Sequence, residues 1–286
     1  MNVVFMGGNE LGAITLEHLI KNSIDIVGVI VTKTNDPWYS GVDKIANKYG
    51  ISLFEEININ NSECINNIRK LQPDLIVSVN FAQILKKEMI NIPTKGCINT
   101  HASLLPMYKG RAPLNWAMIN GEKEVGVTVH YIEEGIDTGD IIIQEKIIVD
   151  EKDYINDILK KVKKIYPNIV LKAIKLIEND DVKLIHQANE GSYFGKRTIE
   201  DGEINVEDHP TNIMNLIRAV SRPYPGAYIN NDYYRIIIWK AKLSYEDSYN
   251  YELKFNGDFV KEDDNIIIKL KDCLLISNDY DLFKKA

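Results

Sequence analysis

An amide and an imidazole stand two residues apart at the end of an apolar stretch. Asn99 and His101 belong to "GCINTHAS", which is typical of a buried strand, and the alternation of side chains along a strand places both on one face. An amide can donate to an oxygen that gains negative charge, and an imidazole can take up and return a proton. The alternative is a pair of satisfied polar core residues, the commoner situation for an isolated histidine.

The segments that follow strengthen the chemical interpretation. The stretch "SLLPMYKGRAP" comes directly after the strand, where Gly110 and Pro113 predict a shaped loop and Lys109 supplies a cation. Further on, "GIDTGD" places Asp137 between two glycines, and glycines permit the close approach of a ligand or of the imidazole. A plain turn acid would explain Asp137 equally well in isolation. Together these residues indicate an acid–base site.

The elements that must position these residues alternate between strand and helix. Strands are predicted for "NVVFMGG", "IDIVGVIVTK", "PDLIVSVNF", "GCINTHAS", "VGVTVHYIEE" and "DIIIQEKIIV". Helical spacing between them predicts an α/β fold with a doubly wound, Rossmann-like, mostly parallel sheet. The turn "GGNELG" does not match the dinucleotide spacing G-x-G-x-x-G, so we expect a tight turn that lines a ligand crevice.

Three helices carry specific expectations. The segment "GVDKIANKYGI" is predicted to end at Gly50, and "AQILKKEMINI" to be helical up to Pro93. The long helical region that begins at "DYINDILKK" is predicted to be interrupted at Pro167.

The pattern of predicted strands and helices changes after about Leu184. Short strand-like pieces and polar turns replace the alternation, which predicts a small unit rich in antiparallel strands. We therefore expect a larger domain over 1–188, followed by a linker helix and a smaller β-rich domain over 189–286. The smaller domain resembles a trimmed OB-type barrel.

Composition excludes several classes of partner. The 286 residues carry a formal net charge of −7, which gives no general electrostatic attraction to nucleic acid. The three cysteines are scattered, so neither a disulfide framework nor a zinc site is expected. No apolar run approaches the roughly 18 residues needed to span a bilayer. These features predict a cytoplasmic protein of the size of an enzyme, with no nucleic-acid or membrane partner, although they leave room for a local basic patch.

The stretch "INTHASLLPMYKGRAPLNWAMINGEKEVGVTVHYIEEGIDTGDII" resembles the signature of the 10-formyltetrahydrofolate-dependent formyltransferases. A weaker likeness extends over nearly the whole chain. The resemblance implies that Asn99, His101 and Asp137 are the catalytic trio, that 10-formyltetrahydrofolate is the co-substrate, and that no metal is needed. It also implies that the loop in "VSVNFAQIL" holds the pterin mainly through backbone groups. The residues implicated in folate binding are Phe81, Ala82, Gln83, Leu85 and Asp137.

The family divides by the amine that is formylated. The enzyme for initiator tRNA usually carries a basic insertion after the second strand, whereas "VTKTNDPWYSGVDKIANKYG" is short and nearly neutral. The glycinamide ribonucleotide enzyme normally lacks a second domain. The resemblance therefore favours a nucleotide-sugar N-formyltransferase, acting on a dTDP-linked 3- or 4-amino-dideoxy sugar of the kind used in lipopolysaccharide O-antigens. A methionyl-tRNA formyltransferase and a non-catalytic sugar- or folate-binding relative remain as alternatives.

Substrate contacts are expected in "SYFGKRTIEDGEIN" and near the carboxyl edge of the sheet. Two adjacent cations beside a glycine can grip a pyrophosphate, and two aromatic residues can stack on a base. The alternative is a solvated turn whose aromatic residues are anchored in the core. The apolar strands of the small domain need a cover, either from their own domain or from a partner. In sugar enzymes of this kind the small domain often serves in dimerisation, so the resemblance implies a homodimer. The predicted substrate-binding residues are Asn9, Arg111, Tyr193, Phe194, Lys196 and Arg197.

Overall fold

The computed structural model describes residues 1–34, 41–187, 190–245, 251 and 253–285. The chain divides into two compact units. The first unit comprises Met1–Gly110, Gly126–Ile147 and Lys161–Tyr193, and the second comprises Arg111–Val125, Ile148–Lys160 and Phe194–Ala286. The expected domain boundary between 188 and 189 falls on residues outside the described ranges, so that division stays a prediction.

Strands and helices alternate through the first two thirds of the chain. The strands are β1 (Asn2–Gly7), β2 (Asp25–Thr32), β3 (Leu53–Glu56), β4 (Leu75–Val79), β5 (Cys97–His101), β6 (Lys109–Gly110), β7 (Glu124–Tyr131) and β8 (Ile141–Ile148). The helices are α1 (Asn9–Lys21), α2 (Val42–Tyr49), α3 (Ser62–Lys70), α4 (Lys87–Ile90), α5 (Pro113–Ile119) and α6 (Ile155–Glu178).

Seven of these strands form one sheet in the order β3-β2-β1-β4-β5-β7-β8. The first five are parallel and β7 runs antiparallel to β5. The predicted doubly wound, mostly parallel sheet is thus confirmed. All five residues of β4 are buried, as expected for a strand covered on both faces. The strand order reverses between β1 and β4, and ligands of open α/β sheets bind at such a switch point.

The turn at this switch point is made by an asparagine. Gly8 is extended, with φ −146°, whereas Asn9 takes the left-handed conformation, with φ 54°. Its side-chain Oδ1 accepts from the N–H of Leu11 at 2.9 Å and from Nδ2 of Asn80 at 3.2 Å. The predicted tight turn is present, but an asparagine rather than a glycine supplies the positive φ, because its side chain caps the start of α1.

Two of the helix predictions were wrong. Only Lys87–Ile90 of "AQILKKEMINI" is helical, because the Asn60 side chain binds the preceding loop by accepting from the Lys86 N–H and donating to the Ile84 carbonyl. The helix α6 continues through Pro167 without a break.

The continuity of α6 has a packing explanation. A proline inside a helix costs about 3 kcal/mol, but α6 buries a regular stripe of side chains. The stripe includes Ile158, Val162, Tyr166, Ile169, Val170, Ala173 and Ile174. Full burial of each large aliphatic side chain contributes roughly 1.5–3 kcal/mol, so the sum outweighs the cost of one proline.

The predicted end of α2 is confirmed, since Gly50 follows this helix with φ 66°.

The second unit is rich in antiparallel strands, as predicted. Its elements are β9 (Tyr193–Phe194), which begins in the first unit, a 3-10 turn (Glu200–Gly202), α7 (Pro210–Val220), β10 (Ala227–Asn230), β11 (Tyr234–Ser244), β12 (Phe259–Glu262), β13 (Asn265–Lys269) and β14 (Leu274–Lys284). Five strands form a sheet in the order β10-β11-β14-β13-β12, and neighbouring strands in it are antiparallel. Among the described residues, no helix combines the length and apolarity needed to cross a membrane.

Candidate active site

The strand β5 presents Asn99 and His101 at its carboxyl end, on one face of the sheet. The strand lies between β4 and β7, and its antiparallel register with β7 sets Asn99 opposite His130. Asn99 is half-buried and His101 is only 8% exposed. The predicted shared face of the amide and the imidazole is therefore present, and a third polar side chain joins it from β7.

The His101 ring is held at both nitrogens. Its Nε2 lies 2.8 Å from the Tyr108 carbonyl, and because a carbonyl only accepts, Nε2 carries the proton. Its Nδ1 lies 3.6 Å from Oδ2 of Asp137. Burial lowers the pKa of His101 below its ordinary 6.5, although the charge of Asp137 acts in the opposite direction. At pH 7 the ring is neutral, with the lone pair of Nδ1 facing the carboxylate.

The Asp137 carboxylate is fixed by the loop between β7 and β8. The N–H of Gly110 donates to its Oδ2 at 2.9 Å, and Asp137 itself has φ 53°. Burial alone would raise the pKa of Asp137, but the His130 ring, the charge of His101 and the Gly110 N–H outweigh it and lower the pKa to about 2. Asp137 is thus ionised at neutral pH.

The same loop depends on one glycine and one glutamine. A Cβ added at Gly139 would lie 1.9 Å from the Tyr131 carbonyl oxygen, so only glycine allows this close approach. Nε2 of Gln187 donates to the carbonyls of Asp137 and Gly139, at 2.9 and 2.7 Å. The glycines are predicted to allow close approach of a ligand or of the imidazole, and the His101 ring does lie 3.6 Å from Asp137. The role of Gly139 in closing the loop and the contribution of Gln187 were not anticipated.

His130 is a further site residue that the sequence argument missed. Its Nδ1 lies 2.8 Å from the Tyr131 carbonyl, and its Nε2 lies 3.4 Å from Nδ2 of Asn99 and 3.6 Å from Oδ1 of Asp137. Its side chain is 3% exposed. The signal was available in "VTVHYIEE", where His130 lies one residue before the end of the strand β7. The pairing of β5 with β7 was needed to bring His130 to Asn99.

The predicted pterin loop offers its backbone rather than its side chains. The Leu85 side chain is buried in a core cluster, and Phe81 packs against that cluster. The Gln83 amide donates to the carbonyl of Glu56 at 3.0 Å and accepts from the N–H of Ile59 at 3.0 Å. Within the described ranges, no hydrogen bond from the backbone N–H groups of this loop is present. These groups are those of Phe81, Ala82, Gln83 and Leu85.

Two exposed apolar side chains flank these loops. Ile84 is 71% exposed and Ile136, next to Asp137, is 47% exposed. An ion pair of 3.0 Å between Lys87 and Glu134 connects the segment that carries Ile84 to the segment that carries Ile136. An apolar ligand can therefore find contacts on both loops.

The predicted nucleotide-binding segment is only partly free. Tyr193 is 60% exposed, but the Phe194 ring is stacked on Trp116, with 5.2 Å between centroids. Arg197 is half-buried and its guanidinium lies 5.8 Å from the Trp116 ring. Burial lowers the pKa of Arg197, and its Nε has no hydrogen-bond partner among the described residues. The Phe194 ring is thus already stacked on another aromatic side chain, and both rings are half-buried.

Two further predicted residues are cations in the second unit. Arg111 and Lys196 are both exposed, and neither forms an ion pair within the part of the chain that the structure describes. The N–H of Arg111 donates to the Phe194 carbonyl at 2.9 Å. The trio Asn99, His101 and Asp137 meets in the first unit, whereas these cations belong to the second.

Comparison with protein families identifies both parts of the chain. Residues 1–174 match the model described as "Formyl transferase". Residues 196–280 match the model described as "Formyl transferase, C-terminal domain". The two matches together take in nearly all of the residues discussed above.

Curated relatives carry different names. The chain is 39% identical over 252 residues to the bifunctional polymyxin resistance protein ArnA of Wigglesworthia glossinidia brevipalpis, covering 86% of this chain but 38% of that protein. It is 35% identical over 256 residues to a methionyl-tRNA formyltransferase of Clostridioides difficile (strain 630), covering 87% of this chain and 82% of the relative. Because the chain spans well under half of ArnA, the activities of that whole protein do not transfer.

Solved structures with the same fold include two that match over their full length. One is WlaRD, a sugar 3N-formyl transferase determined in the presence of dTDP and 5-N-formyl-THF, with a TM-score of 0.73, 27% identity and 97% of both chains covered. The other is an N-formyltransferase from Helicobacter canadensis in complex with folinic acid and dTDP-3-aminofucose. It has a TM-score of 0.72 and 25% identity, and the match covers 96% of this chain and 98% of that one.

Proposed function

Because the chain belongs to the formyltransferase family, we propose that it transfers a formyl group from 10-formyltetrahydrofolate to the amine of a nucleotide-linked amino-dideoxy sugar. A dTDP-linked 3- or 4-amino sugar is the favoured acceptor. The observation that carries the reaction type is the meeting of Asn99, His101 and Asp137 at the carboxyl edge of the sheet. Acyl transfer to an amine requires a hydrogen-bond donor for the oxyanion, a neutral base for the amine proton, and a carboxylate that stabilises the protonated base.

The chemistry assigned to each residue follows from its protonation state. As the amine attacks the formyl carbon, negative charge develops on the formyl oxygen, and the Asn99 amide donates to it. His101 takes a proton from the amine at Nδ1, because Nε2 already donates to the Tyr108 carbonyl. Asp137 stabilises the resulting imidazolium from 3.6 Å. The His101 imidazolium returns this proton to the folate nitrogen as the bond between that nitrogen and the formyl carbon breaks, which regenerates the neutral base. These steps require no metal ion.

This assignment departs from the arrangement of a serine-protease triad. In that arrangement one imidazole nitrogen faces the acid and the opposite one faces the substrate. Here the opposite nitrogen is held by a backbone carbonyl at 2.8 Å. The proton is therefore exchanged on the side of His101 that faces Asp137.

Folate binding is assigned to the loop after β4. The N–H groups of Phe81, Ala82, Gln83 and Leu85 have no partner in the part of the chain that the structure describes. They can bind a pterin, which carries several hydrogen-bonding atoms along one edge. The exposed side chains of Ile84 and Ile136 supply apolar contact for the aromatic part of the co-substrate. The solved relatives described as binding folinic acid or crystallised with 5-N-formyl-THF support this choice of co-substrate.

The acceptor is assigned from three observations. One solved relative is a sugar 3N-formyl transferase determined in the presence of dTDP, and the other was determined in complex with dTDP-3-aminofucose. The net charge of −7 opposes tRNA binding, which requires many phosphate contacts. The exposed cations Arg111 and Lys196 and the half-buried Arg197 suffice for a diphosphate, which takes only a few charge-assisted hydrogen bonds.

A methionyl-tRNA formyltransferase is the second candidate, because the curated relatives with that name are more similar in sequence than the sugar enzymes are. The deciding experiment incubates the protein and 10-formyltetrahydrofolate with a panel of nucleotide-linked 3- and 4-amino sugars, and with charged initiator tRNA in parallel. Formylated product is read by mass spectrometry at physiological salt. We expect product from at least one sugar nucleotide; formylation of the tRNA at a comparable rate would refute the proposed acceptor.

A further inference from the structure

We propose that His130 is a positioning residue that fixes the orientation of the Asn99 amide. This inference rests on the proposed function, since it assigns a role within the same site. It starts from the register of β5 and β7, which sets the two residues opposite each other and brings Nε2 of His130 to 3.4 Å from Nδ2 of Asn99.

The hydrogen-bond partners of His130 determine which of its nitrogens can accept. Its Nδ1 lies 2.8 Å from the Tyr131 carbonyl, and a carbonyl oxygen offers only lone pairs, so Nδ1 must carry a proton. In the neutral ring the lone pair is therefore on Nε2. This lone pair can accept a hydrogen bond, and Nδ2 of the Asn99 amide lies close enough to donate it.

Asn99 depends on this contact. Within the described residues, its side chain makes no other hydrogen bond. Rotation of the amide by half a turn would set its oxygen against the lone pair of His130, which is repulsive. His130 therefore selects the orientation in which Nδ2 faces the ring, and the second hydrogen of Nδ2 stays available for the formyl oxygen.

The contact between His130 and Asp137 does not fix the orientation of a side chain in the same way. The distance from Nε2 to Oδ1 is 3.6 Å, which is longer than a hydrogen bond. The contact through which His130 can set the orientation of a catalytic side chain is therefore the one with Asn99.

A matched pair of substitutions tests this role. His130→Asn keeps an amide near the position of Nδ1, where it can donate to the Tyr131 carbonyl, but removes the acceptor that faces Asn99. His130→Gln restores an amide oxygen near the position of Nε2. We expect His130→Asn to lower kcat about 10- to 100-fold, somewhat less than full loss of an oxyanion donor, with KM for both substrates within about twofold. His130→Gln should recover most of the rate.

A double-mutant cycle separates positioning from a general structural role. In an Asn99→Ala background, His130→Asn should have no further effect on kcat, because the group it orients is gone. Additive losses, or unchanged turnover of His130→Asn in the native background, would overturn the inference. If Asn99→Ala itself left turnover unchanged, the proposed function would fail first, and this outcome is distinct from the other two.

A spectroscopic measurement does not depend on activity. The chain has five histidines, so the His130 signals in a ¹⁵N-histidine NMR spectrum can be assigned with the His130→Gln variant. At about pH 8, above the ordinary titration range of histidine, we expect the proton on Nδ1, and a shift of the Nε2 signal in Asn99→Ala. A proton on Nε2 would contradict the proposal.

Discussion

The polar side chains of two regions differ in how many of their groups have partners. One region is the site cluster, defined as Asn99, His101, His130 and Asp137, and the other is the segment Tyr193–Arg197. In the cluster, all four imidazole nitrogens lie within 3.6 Å of a polar partner, and both histidines are at most 9% exposed. In the segment, Tyr193 and Lys196 are exposed, and Arg197 keeps an Nε without a partner among the described residues.

This difference separates two tasks. A catalytic group acts best when its orientation and protonation state are set before the substrate arrives, because no reorganisation is then needed during the reaction. A surface that recruits an anion needs cations that have not already been neutralised. We therefore expect changes in the cluster to act on kcat and changes in the segment to act on KM for the acceptor, and the following predictions test this division.

The largest effect is expected from the cluster itself. Asn99→Ala and His101→Ala should each lower kcat by roughly 10²- to 10³-fold, since each removes a group that acts on the reacting atoms. The thermal unfolding midpoint serves as the control and should change little. Wild-type turnover in either variant would show that the trio is misassigned.

The next effect concerns the loop that carries Asp137. Gly139→Ala would set a Cβ 1.9 Å from the Tyr131 carbonyl oxygen, and a clash with backbone typically costs about 1–3 kcal/mol. We expect a lower unfolding midpoint together with a fall in kcat of about tenfold or more. Gly195→Ala, at a glycine whose added Cβ would meet nothing within 4 Å, is the control and should leave both unchanged. Equal behaviour of the two variants would contradict the role of Gly139.

Changes to the two cations of the segment should alter binding of the acceptor alone. Lys196→Ala and Arg197→Lys should each raise KM for the sugar nucleotide about tenfold, because charge-assisted hydrogen bonds to a diphosphate are lost or misaligned. KM for the folate should stay within about twofold. Lys271→Ala, another exposed lysine of the second unit, is the charge-matched control. Unchanged acceptor KM in both test variants would remove this segment from the substrate site.

The smallest effect is a displacement of the pH profile. Because burial lowers the pKa of His101 below 6.5 and the base must be neutral, the acid limb of kcat/KM should lie below pH 6.5. Asp137→Asn removes the charge that raises this pKa, so in that variant the limb should move to still lower pH while the rate falls. Measurements of kcat/KM between about pH 5 and pH 8 locate the acid limb in the native protein and in Asp137→Asn. A limb that moves upward would show that another group titrates.

Stability should depend on His101 in the same pH range. The folded state holds a lowered pKa for this ring, so the unfolded chain binds more protons as the pH falls below 6.5. Stability contributed by the neutral buried ring is therefore present above that pH and is lost as the pH falls through the lowered folded value.

Local patterns determined much of this protein. The alternation in "GCINTHAS" placed Asn99 and His101 on one face, because side-chain direction in a strand has a period of two. The succession of apolar strands and helical segments predicted the parallel sheet, because such strands must be covered on both faces. The likeness of one continuous stretch to the formyltransferases predicted the family, which the match to residues 1–174 confirms.

Other features arose only from tertiary packing. Asn99 and His130 are 31 positions apart, and their contact depends on the pairing of β5 with β7, which no local pattern encodes. The Gln83 side-chain amide forms hydrogen bonds with the backbone of Glu56 and Ile59. The residues of the loop that contains Gln83 do not predict these distant partners. Pro167 stays helical because the buried face of α6 outweighs its cost. In each case the deciding energy comes from residues distant in the chain, so only the folded structure could reveal it.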